Sequence, residues 1–302
     1  MRPDPIEEEP CMKQHKAEPA RIMVSGMRSI LLSLLLCTLA GRASAAPDYG
    51  NCKVSGQRGS VKLATVVPGA LSVRPALPAP GWWNGDSPDT IKDGFEYCMA
   101  ANMAYRAGLD RLIVVNRSFA QVLTGQARGF DIALSQITIT DQRKKVLNFT
   151  EPYYRSDQGV LVRAGIKVDK DKIKKMRLAV EQGSTTLQYV TDNIKPVEPP
   201  KVFTQTAPRF AAVAAGQVDA VLFDTPIVLA RAKQSNGALQ VVGRYDMGEN
   251  WGGIVNKDSP NLAVFNKLIR DFKNDGTLRD LTNSYLAPNL GADSAKLPVF
   301  TP

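Results

Sequence analysis

The chain has 302 residues, 44% of them hydrophobic and 22% charged, with a formal net charge of +9. This is ordinary globular composition, and the length suits two medium domains that each bury a core. The basic residues are scattered, without the Arg-rich or aromatic-interleaved tracts of nucleic-acid readers, so no nucleic-acid partner is expected.

The N-terminus reads as a leader. Arg28 precedes an apolar run from Ile30 to Ala40, and Ala43-Ser44-Ala45 follows. A basic start, a short apolar stretch and small residues at alternate positions make a secretory signal peptide. The run falls short of the roughly 20 apolar residues that span a bilayer; an uncleaved N-terminal anchor is the other reading. The polar stretch before it (Asp4, Glu7, Lys13) reads as an over-extended reading frame, with the true start at Met27 and cleavage after Ala45 or Ala46. Leu35 and Leu36 precede Cys37, where a lipid-attachment cysteine wants small residues, so free periplasmic release is expected over a lipid anchor. Processing leaves Cys52 and Cys98. In an oxidising compartment such a pair invites a disulfide, worth about 4 kcal/mol of chain entropy in the usual model. Two buried free thiols are the alternative.

From residue 61 onward, strand-like and helix-like runs alternate. Residues 61–67 read as a strand and 94–107 as a helix with Phe95, Met99, Met103 and Ala107 on one face. Residues 112–115 make a short strand, 119–126 a short helix and 131–134 a buried strand. This β-α-β-α order implies a mostly parallel sheet with helices on both faces. A second round places strands at 177–180, 201–204 and 220–223, and helices at 186–193, 208–215 and 225–235. Residues 158–163 and 252–256 read as strands that cross between the lobes. The expected organisation is a leader to residue 45, lobe 1 from 46–157 plus 250–302, and lobe 2 from 158–249.

The rounds echo each other. Gly125-Gln126 and then Asp131-Ile132-Ala133-Leu134 match Gly216-Gln217 and then Asp219-Ala220-Val221-Leu222. Ser135 follows the first strand and Asp224 the second. Ligands of open α/β sheets sit beyond the carboxyl ends of strands, so two such ends facing each other would make a cleft.

Three segments carry candidate chemistry. After Ser135, Thr140 or Asp141 suits a helix N-cap, and Arg143 could turn back over the strand end to grip a carboxylate with both arms of its fork. Alone, such an arginine is a solvated surface charge. Gln182-Gly183-Ser184-Thr185-Thr186 joins a strand to a helix; glycine permits the turn, while hydroxyls and free amides favour an anion or merely cap. Asp224, before Thr225-Pro226, is either an N-cap or an acceptor for an ammonium group. Together they suggest a zwitterion clamp. Arg143 with Ser184, Thr185 and Thr186 would take an α-carboxylate, and Asp224 with Thr138 the α-ammonium. Pairing both ends discriminates against ligands with only one.

Seven segments then line up in order. They are Gly94-Phe95-Glu96, Phe130 through Ser135, Ile137 through Arg143, Phe149 through Tyr153, Gln182 through Thr185, Val218 through Val221 with Asp224, and Asp275-Gly276-Thr277-Leu278. With them, residues 61–286 resemble the family 3 extracellular solute-binding proteins of polar amino acid ABC transporters. The resemblance implies a two-lobed α/β type II periplasmic-binding fold that closes on its ligand by hinge motion. It implies a monomer without cofactor that hands a small amino acid to the membrane permease of an ABC importer. It also places Ser135, Thr138, Arg143, Thr185 and Asp224 on the cleft.

One departure bears on specificity. Relatives that bind cationic side chains carry an acidic residue after the first strand; here the strand continues Thr65-Val66-Val67-Pro68-Gly69. A Pro-rich loop follows, ending Pro80-Gly81-Trp82-Trp83-Asn84-Gly85, where the family places an aromatic against the ligand. Trp82 or Trp83 would serve, helped by Phe119, unless they only cap the lobe. The missing carboxylate motivates a neutral or apolar side chain.

The resemblance extends to cyclohexadienyl dehydratases, so an enzyme is the competing reading. The only histidine, His15, falls in the leader, and no second acidic residue is evident beside Asp224, so no catalytic residue is expected. A ligand-sensing ectodomain would need its membrane partner on a separate chain. No His/Cys cluster suggests a metal.

Overall fold

The two echoing segments, Asp131-Ile132-Ala133-Leu134 and Asp219-Ala220-Val221-Leu222, run through the middle of two sheets. The computed structural model describes residues 46–124, 129–290 and 294–302. Residues 1–45, with Cys11 and Cys37, and the Gly125-Gln126 pair lie outside them. In the first sheet, strand β1 (Ala70–Arg74) is buried along its whole length. It pairs in parallel with β2 (Arg111–Val114) and β3 (Ile132–Ala133). Helix α1 (Phe95–Arg106) connects β1 to β2 and buries Phe95, Met99 and Met103 against the sheet. Helix α2 (Phe119–Val122) leads toward β3. After β3 come α3 (Asp141–Lys144) and β4 (Asn148–Phe149).

The chain then enters the second sheet through β5 (Tyr154–Arg163), followed by β6 (Leu178–Glu181) and α4 (Thr185–Tyr189). Next are β7 (Lys201–Phe203), α5 (Thr206–Ala214), β8 (Ala220–Asp224) and α6 (Thr225–Gln234). The long β9 (Leu239–Trp251) returns to the first lobe, where β10 (Ile254–Val255) joins the first sheet. The sheet orders are β2-β1-β3-β10-β4 and β7-β6-β8-β5-β9.

The two lobes therefore share one plan, a central first strand flanked by the second and third. The echo around Asp131 and Asp219 has a physical basis in that plan. Asp131 accepts from the backbone N–H of Ser72 at 2.8 Å and donates its own N–H to Ser72 O. Asp219 does the same with Arg177, beside the start of β6, at 2.9 Å. In each lobe an aspartate entering the third strand pins it to the first. Each sheet is half parallel rather than mostly so. Strands β5, β9, β10 and β4 are antiparallel to their neighbours because the chain passes into the second lobe and back through them.

Four expectations need correction. Residues 61–67 are not a strand; Pro68-Gly69 forms a turn, Val67 bridges only to Ala70, and the strand begins there. The helix from Phe119 ends at Val122, and Gln126 lies outside the described residues. The return crossing is made by β9, not by residues 252–256. β9 pairs with β5 from Tyr154↔Trp251 to Arg163↔Leu239, and Trp251 also bridges to Thr138 of the first lobe. Its polar residues Gln240, Arg244, Asp246 and Asn250 hide it from an apolar pattern. Lastly, the C-terminal end leaves lobe 1. Val299 bridges to Arg244 of β9, and the Phe300 ring packs 5.7 Å from Tyr245.

Cys52 and Cys98 form a disulfide that ties the segment before β1 to α1. Among the described residues no helix is long and apolar enough to cross a membrane.

Candidate functional site

The carboxyl ends of β1, β3, β6 and β8 face one cavity between the lobes, where the switch-point rule for α/β sheets puts a ligand. Ser135, Thr138, Arg143 and Phe119 line it from the first lobe, and Ser184, Thr185, Thr186 and Asp224 from the second. Eight of the ten ligand residues expected from sequence thus meet there. Trp82 and Trp83 do not.

On the first lobe, Thr140 caps α3, its hydroxyl accepting from Arg143 N–H at 3.1 Å. This fixes the first turn, and the Arg143 side chain folds back over the strand end. Its Nη1 donates to Thr138 O at 2.7 Å, and its Nη2 reaches across to Gly183 O of the second lobe at 3.0 Å. The guanidinium lies 5.7 Å from the Phe119 ring centroid. Burial lowers the Arg143 pKa, while the negative charges of Glu249 and Asp224 oppose the shift. It is therefore no solvated surface charge. It spans the gap between the lobes.

On the second lobe, Ser184 caps α4 by accepting from Leu187 N–H at 3.1 Å. Asp224 occupies the N-cap position of α6 but makes no side-chain capping bond. Its Oδ1 instead accepts from Gln158 Nε2 at 2.8 Å. The same nitrogen donates to Glu249 Oε2 at 2.6 Å, Thr186 donates to Gln158 Oε1 at 2.7 Å, and Thr185 donates to the other oxygen of Glu249. Burial first, and then the charge of Glu249, push the Asp224 carboxyl well above the usual range; the Gln158 bond opposes them. An arriving cation would relieve that strain by pairing with the carboxylate.

Glu249 corrects the expectation that no second acidic residue stands beside Asp224. It lies on β9, the strand hidden by its polar pattern. Glu181, the last residue of β6, also lines the cavity and was missed. The strand-end rule that selects Ser135 and Asp224 applies equally to Glu181, which follows Leu178-Ala179-Val180. Gln158 ends the polar stretch Arg155-Ser156-Asp157-Gln158 before the run Gly159-Val160-Leu161-Val162, and nothing in that order singles it out.

The two tryptophans are core residues, at 1% and 0% exposure. Trp82 packs about 5 Å from the rings of Phe95, of Tyr154 at the start of β5 and of Trp251 at the end of β9. Trp83 donates its indole N–H to Glu96 Oε2 at 2.7 Å. Glu96, fully buried, also accepts from the Tyr153 hydroxyl and from the backbone N–H of Gln136 at 2.9 Å. Burial raises the Glu96 pKa against these bonds. Gln136 lines the cavity with a left-handed φ of 50°. Trp83 thus reaches the site only through Glu96, which holds the turn after β3 in place.

A family model for bacterial extracellular solute-binding proteins, family 3, matches residues 85–288. The L-cystine-binding protein of Escherichia coli strain K12 is 26% identical over 208 residues, covering 67% of this chain and 76% of the relative. Among solved structures, an ancestral arginine-binding protein bound to glutamine superposes with a TM-score of 0.66 at 27% identity, covering 75% of this chain and 100% of the other. An ancestral amino acid-binding protein described as a precursor of cyclohexadienyl dehydratase superposes with a TM-score of 0.64, also at 27% identity, covering 72% and 95% of the two chains.

Proposed function

The chain belongs to the bacterial extracellular solute-binding proteins of family 3, and on that footing we propose that it captures an amino acid outside the cytoplasm and delivers it to the permease of an ABC importer. One observation carries the reading: Arg143 of the first lobe and Asp224 of the second line a single cavity. The α-carboxylate would pair with Arg143 beside the Ser184–Thr186 turn, and the α-ammonium with Asp224. Closing both pairs needs both lobes, so ligand favours the closed state by bridging them. Relatives named for cystine, glutamine and arginine binding support the ligand class.

The side chain is proposed to be uncharged. On the first lobe, Ala76, Pro78 and Ala79 border the cavity where an acidic residue would hold a cationic side chain, and Glu181 opposite already faces Arg209. The protein acts as a monomer in the periplasm, released by cleavage of its leader, and performs no chemistry on its ligand. Asp224 and Glu249 share Gln158, and no histidine follows the leader to move a proton. A thermal-shift screen over the twenty amino acids and common opines tests this. Ligand at a hundred times its Kd stabilises the folded form by about 2.7 kcal/mol, so an uncharged amino acid should give a clear rise in Tm. The reading fails if no amino acid raises the Tm. Its specificity fails if arginine or lysine raises it most, and its non-catalytic part fails if prephenate or arogenate is turned over.

A further inference from the structure

One polar group on the second-lobe wall has no task in a zwitterion clamp. Glu181, 3% exposed, lines the cavity beside Thr206, Phe223 and Ile227. Next to it, on α5, Arg209 is fully buried, with its Nη1 3.4 Å from Glu181 Oε2 and its guanidinium carbon 3.9 Å from the Phe223 ring centroid. All three guanidinium nitrogens lack a hydrogen-bond partner among the described residues. The other Glu181 oxygen accepts from the Thr206 hydroxyl at 3.3 Å. Arg209 therefore offsets the charge of Glu181 by proximity without filling its lone pairs. A carboxylate offers about four acceptor positions, so Glu181 keeps acceptor capacity at the cavity wall while the pair carries no net charge.

Building on the amino acid reading above, we infer that Glu181 is the specificity-determining acceptor for the ligand side chain and selects an uncharged side chain that donates a hydrogen bond, a carboxamide or a hydroxyl. An aliphatic side chain would cover Glu181 and leave its lone pairs dry and unpaired. A carboxylate would meet Glu181 as a like charge, and a cation would meet a carboxylate whose charge Arg209, behind the wall, already offsets. A carboxamide or hydroxyl avoids all three conflicts. Arg209 acts through Glu181 and is a positioning residue.

Titration calorimetry with glutamine, threonine, norleucine, glutamate and lysine tests the inference. The wild-type protein should bind glutamine or threonine at least about tenfold more tightly than the other three, the discrimination an unpaired buried polar group produces. The double variant Glu181→Leu with Arg209→Met removes the pair without stranding either charge, a kind of exchange that folded proteins tolerate. It should reduce the preference for glutamine over norleucine at least about tenfold. Glu181→Gln leaves the charge of Arg209 without its counter-ion and should shift preference toward glutamate by a similar factor. The inference is overturned if norleucine, glutamate or lysine is the tightest wild-type ligand, or if the variants that fold leave these ratios unchanged. If no amino acid binds at all, the transport reading itself falls and takes this one with it.

Discussion

Replacing Arg143 with alanine should weaken amino acid binding by about 3–5 kcal/mol, the usual consequence of leaving a buried charge without its partner. In titration calorimetry that is a rise in Kd of two to three orders of magnitude or more. The size follows from position. Arg143 is held by the Thr140 cap, turned over the end of β3, and reaches both Thr138 O and Gly183 O. No other arginine or lysine borders this cavity among the described residues. Arg143→Lys should fall between wild type and alanine, because it keeps the charge but loses the two-armed grip. Affinity retained within about threefold in Arg143→Ala would remove this residue from the ligand's carboxylate.

Asp224→Asn should weaken amino acid binding by about 2–5 kcal/mol, since the ligand's ammonium would lose its buried counter-charge. The same substitution has a consequence without ligand. Asp224 titrates well above the usual carboxylate range in the folded protein, through burial and then the charge of Glu249. A carboxyl whose folded pKa is raised contributes stability that is fully present below its unfolded pKa of about 3.9 and is lost as pH rises through the folded value. The unliganded wild type should therefore lose stability relative to Asp224→Asn as pH climbs from about 4 through that raised value. Denaturant unfolding across this range measures the difference. Parallel stability profiles for the two proteins would mean that the carboxylate is not under the burden described.

Much of this arrangement could be read from residues in order. The two rounds of βα units, the polar residues at their strand ends and the capping threonine and serine are local patterns, and local patterns survive in sequence. What residue order does not show depends on which neighbours the fold brings together. Strand β9 carries Arg244, Asp246, Glu249 and Asn250 and shows no apolar run, because it is the edge strand of its sheet and is buried only at alternate positions such as Gly243 and Tyr245. Glu249 is hidden with that strand. The tryptophans failed for a related reason. The resemblance puts an aromatic at the end of the Pro-rich loop, but it does not show that Phe95, Tyr154 and Trp251 surround Trp82, or that Trp83 packs on Tyr97 and bonds Glu96. The start of β1 was displaced because a turn at Pro68-Gly69 follows a segment as apolar as the strand itself.

The clamp is best tested by removing one charge from each side of the same contact. An amino acid that stabilises the protein is titrated into wild type and Asp224→Asn, alongside the identical molecule lacking its α-amino group. If the ammonium meets Asp224, losing it weakens wild-type binding roughly a hundredfold or more and the variant by less than about tenfold, the coupling of two groups in contact. Equal losses in the two proteins would place the ammonium elsewhere and contradict the clamp.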